Sequence, residues 1–185
     1  MPIKTKVTDG GRIFQGDIFQ NIDMVENYYE ENEELVLKKI NFPYVICLTQ
    51  DCDLLSDYRD KTEKPNENRN CKLLQIIIAP LFNFEKFKSG EHWGKIFDAC
   101  SPIKPNKSNG QAIMKNETPR YHYLEFAEYS HLPPMIADFK HFFTISTEYL
   151  YTHIDKRVCS VSELYRERIS QRFTNYLSRI GLPDE

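Results

Sequence analysis

Two short apolar runs constrain this chain more than any other feature. "YVICL" (44–48) is continuous and apolar, as a strand buried on both faces is. "KLLQIIIAP" (72–80) reads as a second core strand that ends at Pro80. The chain has 185 residues, enough for one domain that buries roughly 70% of its unfolded surface. Hydrophobic residues make up 41% and aromatics 13%, which excludes generic disorder.

Weaker signals surround these strands. "GRIFQGDIFQNI" (11–22) reads as a first strand with a bend at Gly16. "NIDMVENYYEENEE" (21–34) holds six acids and no Lys or Arg, and reads as a solvated loop or hairpin end. "LVLKKI" (35–40) alternates imperfectly, as a strand. Residues 56–70 and 101–111 read as polar loops, and 83–100 as one or two short helices. "RYHYLEF" (120–126), 135–146 and 148–154 read as further strands. The last segment predicts a helix over 160–181. Ser160 and Glu163 form a capping box there, and Tyr165, Ile169, Phe173, Tyr176 and Ile180 form its apolar stripe.

Charge and cysteine usage narrow the function classes. The formal net charge is −3 and the pI about 6.0, so the chain has no overall basic footprint for nucleic acid, although a local patch is compatible with it. No run of 18 apolar residues is present, so no membrane span is expected. The start lacks an apolar signal core, which predicts a cytoplasmic protein. Five cysteines without a CxxC pair predict no disulfide framework. P-loop, Rossmann, HExxH and GxSxG patterns are absent, and nothing in the sequence asks for a cofactor.

Three places carry candidate chemistry. Asp51-Cys52-Asp53 follows the apolar strand directly. The two carboxylates fit general-base work or a hard cation, and Cys52 is a weak metal ligand candidate. Like charge on both sides disfavours the Cys52 thiolate. The alternative is that Asp51 and Asp53 cap a turn, or a helix starting at Leu54. In "RYHYL", alternation puts Arg120 and His122 on one face for phosphate and proton chemistry, and Tyr121 and Tyr123 on the other for stacking bases. A mixed-face edge strand is the alternative there. Arg168, Arg172 and Arg179 border the apolar face of the last helix. They are placed either to contact a phosphate backbone or to snorkel over the core.

"GDIF" (16–19), "YVICLTQDCD" (44–53) and "LLQIIIAPLF" (73–82) together resemble the MazF/PemK toxin family over the first half of the chain. The resemblance implies a mainly β fold with α: a small SH3-like barrel with inserted short helices and a C-terminal helix. The barrel core would be 11–82 and 120–154, with an insertion at 83–119 and the helix at 160–181, all in one domain. It also implies an RNA-directed function, a divergent endoribonuclease toxin. Phe42-Pro43 stands where that family carries Arg-Pro, and Leu81-Phe82 where it carries Thr or Ser. Cleavage would then fall to Asp51, Asp53 or His122 as base and Arg120 as cation. Tyr121, Tyr123, Arg168 and Arg172 would bind the substrate. The second expectation is a non-catalytic interaction module of a microbial stress or defence system, with a protein partner, for which the acidic 21–34 stretch offers a surface to a basic one.

Overall fold

The computed structural model describes residues 3, 5–6, 10–63, 72–94, 108–126 and 131–179. They form a mainly β structure. The strands are β1 (Thr5–Lys6), β2 (Asp17–Glu31), β3 (Glu34–Cys47), β4 (Gln75–Asn83), β5 (Tyr121–Leu124), β6 (Met135–Asp138), β7 (Phe143–Ser146) and β8 (Arg157–Val161). The helices are α1 (Asp51–Thr62), α2 (Phe84–Ser89), α3 (Ser108–Met114), α4 (Thr147–Thr152) and α5 (Glu163–Leu177).

One antiparallel sheet runs in the order β1-β8-β2-β3-β4-β6-β5, and β7 also pairs with β4. The ladders leave the sheet open. Among the described residues a bridge between Ile3 and Phe126, with the Ile3 N–H donating to the Glu125 carbonyl at 2.6 Å, links its two ends.

The apolar runs explain the layering. Val45 and Cys47 face one cluster with Phe19, Ile22, Ile76 and Ile78, while Ile46 and Leu48 face a second with Ile18, Ala79 and Leu81. The strand at 44–48 is therefore buried on both faces, as its unbroken apolar character requires. Leu54, Phe84, Phe87 and Leu150 cover the first face, and Ile169 and Phe173 of α5 cover the second.

Gly16 has φ +84°, and a Cβ there would sit 3.4 Å from the Val161 Cβ. That is ordinary contact, so it is the left-handed backbone that favours glycine here. Asp17, next in the chain, is fully buried. It accepts from the Phe14 N–H at 2.9 Å, from Arg157 at 3.1 Å and from the Ser160 hydroxyl.

Several expectations are corrected here. β4 does not end at Pro80 but continues to Asn83. It pairs with β7 through Ile78 and with β6 from Leu81, so Pro80 lies in the gap between the two ladders, where no N–H is needed. Of the two alternatives for residues 21–34 the hairpin end is the one found, since they hold most of β2, the Asn32-Glu33 turn and the first residue of β3, while the strand expected from residue 11 begins at Asp17. The polar stretch expected to be a loop from 56 is helical through Thr62. α3 starts inside the expected 101–111 loop. Residues 147–152 form a helix capped by the Ser146 hydroxyl, not a strand. Ser160 is no helix cap: it lies in β8 against Asp17, and Ser162 precedes α5 without a side-chain cap bond. Ile180 lies outside the described residues, as do residues 95–100 of the expected 83–100 helices and Cys71 and Cys100. Cys47, Cys52 and Cys159 are free thiols.

Candidate functional site

The Asp51 corner opens α1. Asp51 accepts from Arg12 at 2.8 Å and from the Gln15 N–H at 3.3 Å, and Arg166 of α5 lies 3.5 Å away. Its carboxylate therefore ties the segment before β2 to α1 and α5. The helix begins at Asp51 rather than Leu54, and Gln50 at its N-cap makes no side-chain cap bond, so neither aspartate caps it. Asp53 is exposed in the first turn, where a carboxylate complements the helix dipole. Cys52 is exposed, with its Sγ 3.6 Å from Gln50 and 3.7 Å from Asp53. Among the described residues no three His, Cys, Asp or Glu side chains gather in a way that would hold a metal ion.

The expected alternation holds within β5, but Arg120, expected on the face of His122, lies over the Tyr121 ring at 4.7 Å and pairs with Asp138 opposite it. His122 and Leu124 are buried, while Tyr121 and Tyr123 turn to the opposite cluster. There the two tyrosines meet Phe87 and Phe84 edge-on at 5.0 and 4.7 Å, so their rings are packing groups. Arg120 forms a two-pronged pair with buried Asp138, at 2.8 and 2.6 Å. That pairing raises the pKa of Arg120.

α5 places its arginines in different roles. Arg172 donates to the backbone carbonyls of Asn116, Thr118 and Tyr121, which fastens the 116–121 turn to the helix. Arg179 lies over the Tyr176 ring at 4.1 Å. Arg168 is exposed and has no ion-pair partner among the described residues.

His122, Tyr123 and Arg168 come together in one cavity of about 220 Å³, which Lys115, Asn116 and Glu125 also line. Asn116, at φ +60° after α3, grips Tyr123 through both its backbone groups, at 2.6 and 3.1 Å. Burial, with Arg172 and Arg168 nearby, pushes the His122 imidazole down to about 3. Among the described residues no hydrogen bond or ion pair links Asp51 or Asp53 to Arg120 or His122, and the cavity that His122 lines is lined by none of the other three.

Phe42-Pro43 and Leu81-Phe82 converge on a second cavity of about 430 Å³, beside His92 and Trp93. β3 and β4 bring these positions together through the Tyr44–Leu81 register. None of the four side chains is a cation or a hydroxyl.

The feature that sequence reasoning missed is an arm. Beyond Gln20 and before Tyr44 the β2–β3 ribbon has no strand on either outer edge among the described residues. It turns at Asn32 and Glu33, both with positive φ. That is the two-residue hairpin geometry that suits strand twist. From the Ile22–Phe42 pair to the Glu31–Glu34 pair it extends ~30 Å. A bulge at Glu26 resets the alternation, so Val25, Tyr28, Leu35 and Leu37 share one face. They are exposed by 51, 69, 68 and 45%. Lys38 pairs with Glu26 at 2.7 Å and Lys39 reaches Asp23 at 3.9 Å. Glu30, Glu31, Glu33 and Glu34 at the tip have no ion pair among the described residues. The legible signal was the apolar Tyr28-Tyr29 and Leu35-Val36-Leu37 on either side of Asn32; the acids between them read as a loop or a hairpin end.

Among the described residues no helix is long and apolar enough to cross a membrane. No family model matches the chain, and no curated protein matches it in sequence.

Proposed function

We propose that this chain is a non-catalytic interaction module of a microbial stress or defence system, and that its β2–β3 arm docks a protein partner bearing a basic, partly apolar strip. The observation that carries this reading is the exposed apolar group Val25, Tyr28, Leu35 and Leu37, which shares its face with Glu30 and Lys39, on a ribbon whose outer edges carry no strand among the described residues. A two-stranded ribbon alone is marginally stable in water, and exposed strand edges invite pairing. A partner strand added to either edge would satisfy the unpaired backbone groups and cover the apolar side chains together. Residues 23–39 carry six carboxylates and two lysines, a net of −4. That charge selects a basic partner and opposes a second copy's arm laid against the first.

The endoribonuclease reading rests on the resemblance to MazF/PemK toxins. The Ile3–Phe126 bridge favours the barrel that the resemblance implies, because it draws the two ends of the sheet together. The chemistry has less support. Asp51 and Arg120 are held in ion pairs, and an imidazole depressed to about 3 is a poor base at neutral pH. The family's catalytic positions are apolar here and line the cavity beside Trp93.

The test pairs two assays on one preparation. A short basic amphipathic peptide should bind the wild type in a salt-dependent way, and Leu35→Ser with Leu37→Ser should weaken that binding about tenfold while leaving the fold intact. A structured RNA should remain uncut. RNA cleavage that is abolished by His122→Asn or Asp53→Asn would replace this reading with the catalytic one.

A further inference from the structure

We propose that the cavity between β5, the turn after α3 and α5 binds a phosphate group, carried by inorganic phosphate or by a small phosphate monoester. His122 is only 3% exposed, lines this cavity, and has an Nδ1 with no hydrogen-bond partner among the described residues. Leaving such a group unpaired costs about 1–3 kcal/mol, which a ligand oxygen would recover. A neutral imidazole presents either a donor or an acceptor at Nδ1 according to its tautomer, so it accommodates phosphate in either ionic form.

The charges around the cavity favour an oxyanion. Arg168 and Lys115 both line it, and neither pairs with a carboxylate among the described residues. Glu125 is the single carboxylate in the described lining, so the cations outnumber it two to one. Arg172 adds to the positive field at His122, although its Nη1 and Nη2 groups are held by three carbonyls. The Asn116 side chain is fixed on the Tyr123 backbone, and Arg172 holds the Asn116 carbonyl, so the wall is built before any ligand arrives. At about 220 Å³ the space holds a phosphate group with several waters.

Isothermal titration with inorganic phosphate and with adenosine 5′-monophosphate, each against chloride at equal ionic strength, tests this. Saturable binding of either one is expected, together with movement of the His122 ring nitrogen signals that chloride does not produce. Binding of both makes the free ion sufficient; binding of the nucleotide alone makes the ester the ligand. Arg168→Ala lies on an exposed position and should weaken binding about tenfold or more, the effect of losing one charge-assisted bond. Lys115→Ala should act in the same direction. No heat or shift beyond the chloride control, or binding that neither variant changes, would overturn the proposal.

Discussion

Arg120 holds Asp138 by two parallel hydrogen bonds across the β5–β6 pair, Nε to Oδ1 at 2.8 Å and Nη2 to Oδ2 at 2.6 Å. Asp138 is fully buried and also accepts from the Lys140 N–H at 3.0 Å, but Arg120 is the group that engages both its oxygens. Arg120→Ala should lower stability by about 3 kcal/mol, the cost of leaving one charge of such a pair behind. Arg120→Lys should restore only part of it, because an ammonium cannot match both oxygens. Urea midpoints measure both. Wild-type stability in the alanine variant would mean that Asp138 needs no cation.

The twin aspartates of the corner should separate cleanly. Asp51→Asn leaves Arg12, 17% exposed, without its carboxylate and Arg166, 15% exposed, with Glu167 alone, and should cost about 2 kcal/mol. Asp53→Asn removes only an exposed first-turn charge and should cost about 0.5 kcal/mol. Cys52→Ser should leave the unfolding midpoint within about 0.5 kcal/mol of wild type. Equal costs for the two aspartates would contradict this assignment.

His122 links stability to pH. Its folded pKa of about 3 lies below the ordinary 6.5, so between those values the unfolded chain binds a proton that the folded chain refuses. The contribution is fully present above pH 6.5 and is lost as pH falls toward 3, at about 1.4 kcal/mol per unit. Denaturant unfolding at two pH values should show this loss in the wild type and a slope smaller by one proton in His122→Gln. An unchanged slope in the variant would mean that the imidazole titrates normally in the fold.

The terminal helix is a core element. Ile169 and Phe173 are 2 and 6% exposed, and Phe173 packs on Phe139 and Phe142 with ring centroids 5.4 and 5.3 Å apart. Phe173→Ala should cost about 3–4 kcal/mol. An unchanged denaturation midpoint would show that α5 merely rests on the sheet.

Local pattern carried much of this fold. The unbroken run at 44–48 announced a strand with two covered faces, the alternation at 120–124 placed His122 and Tyr123 on opposite sides, and the spacing of Ile169 and Phe173 marked the helix face. Pro80 misled because its tolerance depends on where two other strands stop. Residues 21–34 left loop and hairpin end open, because a charged ribbon that leaves the body needs no buried face along its tip and so lacks the alternation that betrays a strand. Asp138, Lys115 and Asn116 became visible only through the partners that the chain brings to them.

The most direct test of the arm as a docking surface is a photo-crosslinking residue placed at Tyr28, with Tyr29 as the control on the opposite face of the same ribbon. Carried out in the native cell, it should give an adduct from position 28 to another protein, through a peptide rich in Lys and Arg. The adduct should be much weaker from position 29 and should disappear when Leu35 and Leu37 are changed to serine. Equal labelling from both faces, or an adduct to a second copy of this chain alone, would contradict the arm's role as a surface for a basic partner.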